Sequence, residues 1–295
     1  MTISAEEKLN QKLQKPDYLI IAGSTLYGTD TSDSDKDYRG FILPPFEYLV
    51  GALEFEQYNP KCSHEDIVIY SLKKFIKLLM NGDPVCLEML FAPEWAINYR
   101  SEIGGIIRRN RNLFLSRKFI NRILGYSESE FRKVKGVTLK PIKKNPNEQQ
   151  VIDDIRNVFH LPKQEMDGVI NILFAHHSKK IVNSTRKLGQ KRKSQIEKFG
   201  YCVSSASHTV RLLGQLLELL TELKITFPRP NAEFLRNIKL GKISLEQVES
   251  TRSELMLQIK VAEHQTLLPK TCSSKKIFGL YYSIIRSSML KELDG

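Results

Sequence analysis

Cysteine is scarce in this chain: Cys62, Cys86, Cys202 and Cys272 stand far apart and form no CxxC pair. That spacing excludes a zinc ribbon and a disulfide framework, and it fits reduced thiols inside a cell. No apolar run reaches the roughly 18 residues that a membrane-spanning helix needs. The opening MTISAEEKLNQKLQK is polar and lacks the apolar centre of a signal peptide. A cytoplasmic location without a membrane partner is expected. There is no internal repeat and no long low-complexity tract, which excludes a solenoid.

Acid is also short relative to base. Lys and Arg number 45 against 33 Asp and Glu, a formal net charge of +12. Such a surface attracts polyphosphates, nucleic acid or anionic lipid through long-range electrostatics and counterion release. The chain has 295 residues, 41% hydrophobic and 26% charged, an ordinary globular composition that allows one large domain or two smaller ones.

Tyr18 to Ala22 (YLIIA) is a short apolar run between Pro16 and Gly23 and predicts a buried strand. Thr29 to Lys36 is turn-rich, and Asp37 to Leu43 (DYRGFIL) predicts a second strand stopped by Pro44 and Pro45. Asp66 to Tyr70 (DIVIY) predicts a third. Ser71 to Met80 carries Leu72, Phe75, Ile76 and Leu79 at the spacing of one helical face. Asp83 and Pro84 suit the N-cap and first position of a helix running to Leu90. Beyond about residue 100 the strand signal fades, and Ile103 to Leu115, Ser116 to Phe131 and Met166 to Leu188 read as helices. The expected class is α+β: a catalytic domain over 1–115 with a mixed sheet and helices, then a mainly helical substrate-binding region over 116–295.

The chemistry concentrates in GSTLYGTDTSDSDKDYRG, residues 23–40. Alternation along an extended chain puts Asp35 and Asp37 on one face. Two adjacent carboxylates repel unless a divalent cation lies between them, so magnesium, or manganese in its place, is the expected cofactor. Gly23, lacking a Cβ, and the Ser24 hydroxyl suit a phosphate brought close to the backbone. Phosphoryl transfer asks little covalent work of a protein, so metal-holding acids and oriented donors suffice. Arg39 shares the Asp37 face and makes either a phosphate contact or a salt bridge. Ser204, His208, Arg211 and Gln215 follow one helical stripe, opposite Val210, Leu213, Leu217 and Leu220. Glu88 either orients substrate or decorates a helix surface.

The glycine-serine pair, the DxD and a distal acid resemble the signature of polymerase-β-type nucleotidyltransferases. More narrowly, GSTLYGTDTSDSDKDYRGFILPP and DIVIYSLKKFIKLLMNGDPVCLEMLFAP are similar to a nucleotidyltransferase family linked to RNA-repair pathways, whose members are predicted partners of RNA ligases. ASHTVRLLGQLLELL and FPRPNAEFLRNIKLGKISLEQV continue the resemblance, which is least clear between 130 and 195. It implies a two-metal site of Asp35, Asp37 and a third acid on a neighbouring strand, for which Asp66 is chosen and Glu65 is the alternative. It also implies an NTP substrate and a nucleotide site drawn from Gly23, Ser24, Arg39, Ser204, His208 and Arg211. The family tends to carry Lys where Ser204 stands.

The expected reaction is transfer of a nucleoside monophosphate from an NTP to a hydroxyl, with an RNA end as the leading acceptor. Nucleotidylation of a protein or small molecule is one alternative, and a nucleic-acid-binding pseudoenzyme, favoured by Ser204, is another. The basic stretches Arg132 to Lys144 and Arg186 to Lys198 are candidate nucleic-acid surfaces. His176 and His177 beside Lys179 and Lys180 read as solvated surface, because adjacent helical residues point apart.

Overall fold

The computed structural model describes residues 4–31, 34–60, 65–134, 138–139, 181–182 and 189–293. The class is α+β, with a mixed sheet and helices first and a mainly helical region after it. Strands β1 (Tyr18–Ile21), β2 (Lys36–Ile42), β3 (Gln57–Tyr58), β4 (Glu65–Ser71) and β5 (Ile97–Arg100) form one five-stranded sheet in the order β3-β4-β2-β1-β5. β2 and β4 are parallel; the other neighbours are antiparallel.

The long strands form where apolar runs meet chain breakers. β2 ends against Pro44 and Pro45, which have no N–H to extend a ladder. One face of the sheet is apolar along most of its length. Tyr18, Ile20 and Phe41 are fully buried there, and Phe41 stacks on Phe75 with ring centroids 4.5 Å apart. Phe75 belongs to α4 (Leu72–Met80), which follows α1 (Ala5–Gln14), α2 (Gly23–Tyr27) and α3 (Phe46–Leu49) in the chain; its Leu72, Phe75, Ile76 and Leu79 are all buried, as the helical spacing predicts. The Ser71 hydroxyl accepts from the Lys74 amide and starts that helix. The Asp83 carboxylate does the same for α5 (Pro84–Phe91) through the Cys86 amide, with Pro84 in the first turn.

After β1 the chain starts a short helix, α2 (Gly23–Tyr27), and two expectations shift. The helix expected over Ile103 to Leu115 is α6 (Glu102–Arg109) followed by a single 3₁₀ turn, Arg111–Phe114. Ile181–Val182 is not helical but pairs antiparallel with Thr138–Leu139; the rest of Met166 to Leu188 lies outside the described residues except within that pair.

The chain packs as two compact units, 1–129 joined by 206–295, and 130–205. The expected boundary near residue 115 lies inside the first. In that unit the helix Val203–Glu222 contributes Leu212, Leu213, Leu216, Leu219 and Leu220 to the core that also holds Tyr18, Ile20 and Phe41. Each such side chain adds about 1.5–3 kcal/mol by leaving water, so the returning segment belongs to the sheet's own core. In the second unit the helix Gln190–Phe199 ends at Gly200 in the left-handed conformation, φ 79°. Among the described residues no helix is long and apolar enough to cross a membrane.

Candidate active site

The apolar face of the sheet turns polar at one end. Asp37 and Arg39 stand on β2 at the positions preceding Phe41 by four and two residues, so alternation gives them the Phe41 face. β4 runs parallel with Asp66 opposite Asp37 and Glu65 opposite Lys36. Asp66 therefore shares the Asp37 face, one strand spacing of about 4.8 Å away, and Glu65 takes the other.

Arg39 bridges the two acids. Its guanidinium donates to Asp66 Oδ2 at 2.7 Å, to the Asp66 carbonyl at 2.7 Å and to the Tyr38 carbonyl at 2.8 Å, and lies 4.0 Å from Asp37 Oδ1. Burial raises the Asp37 pKa above the ordinary carboxylate value; Arg39 opposes the rise, Asp66 and Asp35 add to it, and Lys239 opposes it. Asp35 is exposed, immediately before β2. Among the described residues no three His, Cys, Asp or Glu side chains are gathered to hold a metal ion as they stand, and Asp66 is engaged by Arg39.

Gly23 lies against Asp37. It has φ +61°, and a Cβ there would fall 1.7 Å from Asp37 Oδ2, while the Ala22 amide donates to the Asp37 carbonyl at 2.7 Å. Two independent constraints, positive φ and the carboxylate in the Cβ position, demand glycine. Gly23→Ala is expected to cost about 1–2 kcal/mol from the left-handed backbone and to push the Asp37 carboxylate from its place. Denaturant unfolding and turnover should both fall. Unchanged values of both would show that Asp37 does not rest on Gly23. Ser24, next in α2, is half-buried, and its carbonyl accepts from the Thr29 amide at 2.9 Å.

Behind α2 lies a buried network. The Tyr27 hydroxyl donates to Glu88 Oε2 at 2.7 Å, Arg211 pairs with the other Glu88 oxygen and donates to Gln215 Oε1 at 2.9 Å, and its guanidinium sits 3.9 Å over the Tyr27 ring. Glu88 is 3% and Arg211 6% exposed, so Glu88 is not a surface decoration. Burial raises the Tyr27 phenol far above its ordinary pKa; Arg211 opposes, while Glu88 and Asp37 add to the rise. His208 Nε2 is 3.4 Å from Arg211 Nη2, with its ring stacked on Tyr126. Ser204 falls in the second unit, where Gln195 donates to its hydroxyl at 2.7 Å and accepts from its amide.

Two basic residues that sequence reasoning passed over sit on the far side of α2. From the helix Ala232–Lys239, Lys239 Nζ donates to Thr29 Oγ1 at 3.0 Å and Arg236 to the Gly28 carbonyl at 2.8 Å. Their only signal was membership of the FPRPNAEFLRNIK segment, some 200 residues downstream. Gly28, φ +71°, is packed under Pro228, whose Cβ a side chain there would meet at 2.9 Å.

A mixed sheet that brings two aspartates side by side on parallel strands, with the glycine that starts α2 against one of them, is the arrangement expected of a polymerase-β-like nucleotidyltransferase. The sequence pattern of the RNA repair pathway DNA polymerase beta family (RlaP) matches residues 6–160, and the chain belongs to that family. The family points to a function of the nucleotidyltransferase type, which implies an NTP as substrate. The chain is also similar to an uncharacterized 38.9 kDa protein of the nrdC-mobD intergenic region of Enterobacteria phage T4, at 26% identity over 297 residues, taking in 81% of this chain and 87% of that protein. No solved structure matches it.

Proposed function

We propose that the protein transfers a nucleoside monophosphate from an NTP to the hydroxyl of an RNA end, releasing pyrophosphate. The observation that carries this reading is the in-register pairing of Asp37 with Asp66 beside Gly23. The donor set fits magnesium: all its atoms are carboxylate oxygens, the chemistry that hard divalent cations select, and the raised Asp37 pKa marks a cluster that a cation would relieve. Asp35, Asp37 and Asp66 would hold the metal. When bound, it would neutralise charge on the transferring phosphoryl group and on the leaving pyrophosphate.

The remaining work falls to side chains. Gly23 and the Ser24 hydroxyl would take the triphosphate next to Asp37. Arg39, which donates to Asp66 here, would exchange that partner for a phosphate oxygen. Arg211 would act through Tyr27, keeping α2 at the height that sets Gly23 on Asp37. Ser204 leaves the expected cation missing from its position, and Lys239, within electrostatic reach of Asp37, is the candidate to supply one. Lys239→Ala should raise KM for NTP about tenfold, a loss of about 1.4 kcal/mol, with kcat little changed, and Lys239→Arg should recover part of it. An unchanged KM would remove Lys239 from the site.

The reaction is tested by incubating the protein with each labelled NTP, magnesium, and either total RNA or a protein mixture. Label on RNA termini, absent with Asp37→Ala, is the expected result. Label on protein, or on neither, overturns the RNA acceptor.

A further inference from the structure

We propose that the outer edge of the sheet, where β5 meets α6, is the surface on which single-stranded RNA lies. The choice of RNA rests on the acceptor proposed above; the location rests on the groove itself. Arg100, Arg108, Arg109 and Arg111 line a groove of about 410 Å³ together with only two acids, Glu94 and Glu102. Glu94 is consumed by Arg100, at 2.9 Å, and by Arg108, at 3.4 Å. Glu102 is paired with Lys291 at 2.9 Å. Arg109 and Arg111 make no ion pair with any described residue, and Arg111 is held over the Phe91 ring, 5.3 Å from its centroid. Four guanidiniums against two carboxylates, of which Glu102 attracts Arg109 as well as Lys291, leave the groove with an excess of positive charge, and Arg111 is held over a ring face, as suits phosphate recognition.

One aromatic residue next in the chain to the groove bears on the kind of nucleic acid. The chain's one tryptophan, Trp95, is 53% exposed and directly follows the groove residue Glu94. Tyr99, although it adjoins Arg100, takes the opposite face of β5. A large ring left in water next in the chain to an arginine-lined groove offers a face to unstacked bases, which a duplex does not present. The expected lysine-rich stretches lack such rings, and Lys140, Lys143 and Lys144 lie outside the described residues. Among the described residues β5 pairs only with β1, two strands from the Asp37 strand, so a strand of RNA bound here begins on the same sheet that carries the acids.

Because Trp95 is the sole tryptophan, its emission reports on this surface directly. Titration of the Asp37→Ala protein with a 12-nucleotide single-stranded RNA, without NTP, should quench Trp95 saturably, and duplex RNA of that length should quench far less. Joint reversal of Arg109→Glu and Arg111→Glu should weaken binding at least about tenfold. It should also make the slope of log affinity against log salt shallower by about 1.4, two phosphates at roughly 0.7 each. RNA binding seen by anisotropy without quenching, equal quenching by duplex, or affinity unchanged in the charge-reversed protein, itself checked by thermal unfolding, overturns the surface. If wild-type protein still labels RNA in any of those cases, the reaction stands and only the location fails. If no RNA binds and label goes to protein, the acceptor reading fails as well.

Discussion

Asp37→Ala is expected to lower turnover by at least about 10³-fold, because the aspartate is the proposed metal ligand that both Asp66 and Gly23 adjoin, and stabilisation of charge on the transferring group is lost with it. The fold should survive, and in metal-free buffer it should gain. Asp37 has its pKa raised by burial and by the carboxylates of Asp66 and Asp35. A raised folded-state value means that the protonated form favours folding: this contribution is fully present below the ordinary carboxylate range and is lost as pH rises through the elevated value. At neutral pH the ionised Asp37 therefore works against the fold, and Asp37→Asn should unfold at a higher temperature than wild type there. The advantage should shrink as pH falls below the ordinary range. Added magnesium should raise the melting temperature of wild type and leave that of Asp37→Asn nearly unmoved. Wild-type turnover by Asp37→Ala, or equal magnesium stabilisation of both proteins, would remove Asp37 from the metal site.

How far this site was legible in the sequence depends on how locally each part is encoded. β1, β2 and β4 are apolar runs bounded by proline, glycine and polar turns, and α4 and α5 carry their own N-caps, so periodicity within ten residues suffices. β3 and β5 are short, largely exposed edges; their sequences, QY and INYR, have no strand pattern, and pairing with a formed sheet makes them strands. The same holds for side chains. Glu65 and Asp66 are alternatives in sequence because one residue reverses a strand face, and only the β2–β4 register separates them. Gly23 is only half legible in sequence, for a different reason. Phosphate approach is a local argument, whereas the Asp37 carboxylate filling the missing Cβ position is a contact across two strands. Lys239, like the Arg211–Glu88 pair spanning 123 residues, belongs to contacts that no spacing rule reaches.

That pair should show the largest single effect on stability. Glu88 and Arg211 have side chains 4% and 7% exposed, and Glu88→Ala would leave a buried guanidinium without its carboxylate and Tyr27 without its acceptor. Breaking a buried ion pair from one side costs about 3–5 kcal/mol, which in a unit of this size lowers the melting temperature by roughly 10 °C. Removing both charges is different in kind. Glu88→Leu combined with Arg211→Met leaves no orphaned charge and should recover part of the single-mutant loss, although the stacking of Arg211 on Tyr27 is not replaced. A coupling of at least about 2 kcal/mol in the double-mutant cycle is expected from urea unfolding. Activity measured well below the transition divides the roles further. If Arg211 works by holding α2, Glu88→Ala and Arg211→Met should lower kcat together, since both let Gly23 drift from Asp37. If Arg211 touches the triphosphate, Arg211→Met should raise KM for NTP while Glu88→Ala does not. Additive stabilities in the cycle would show that the two residues, though adjacent, do not act as a pair.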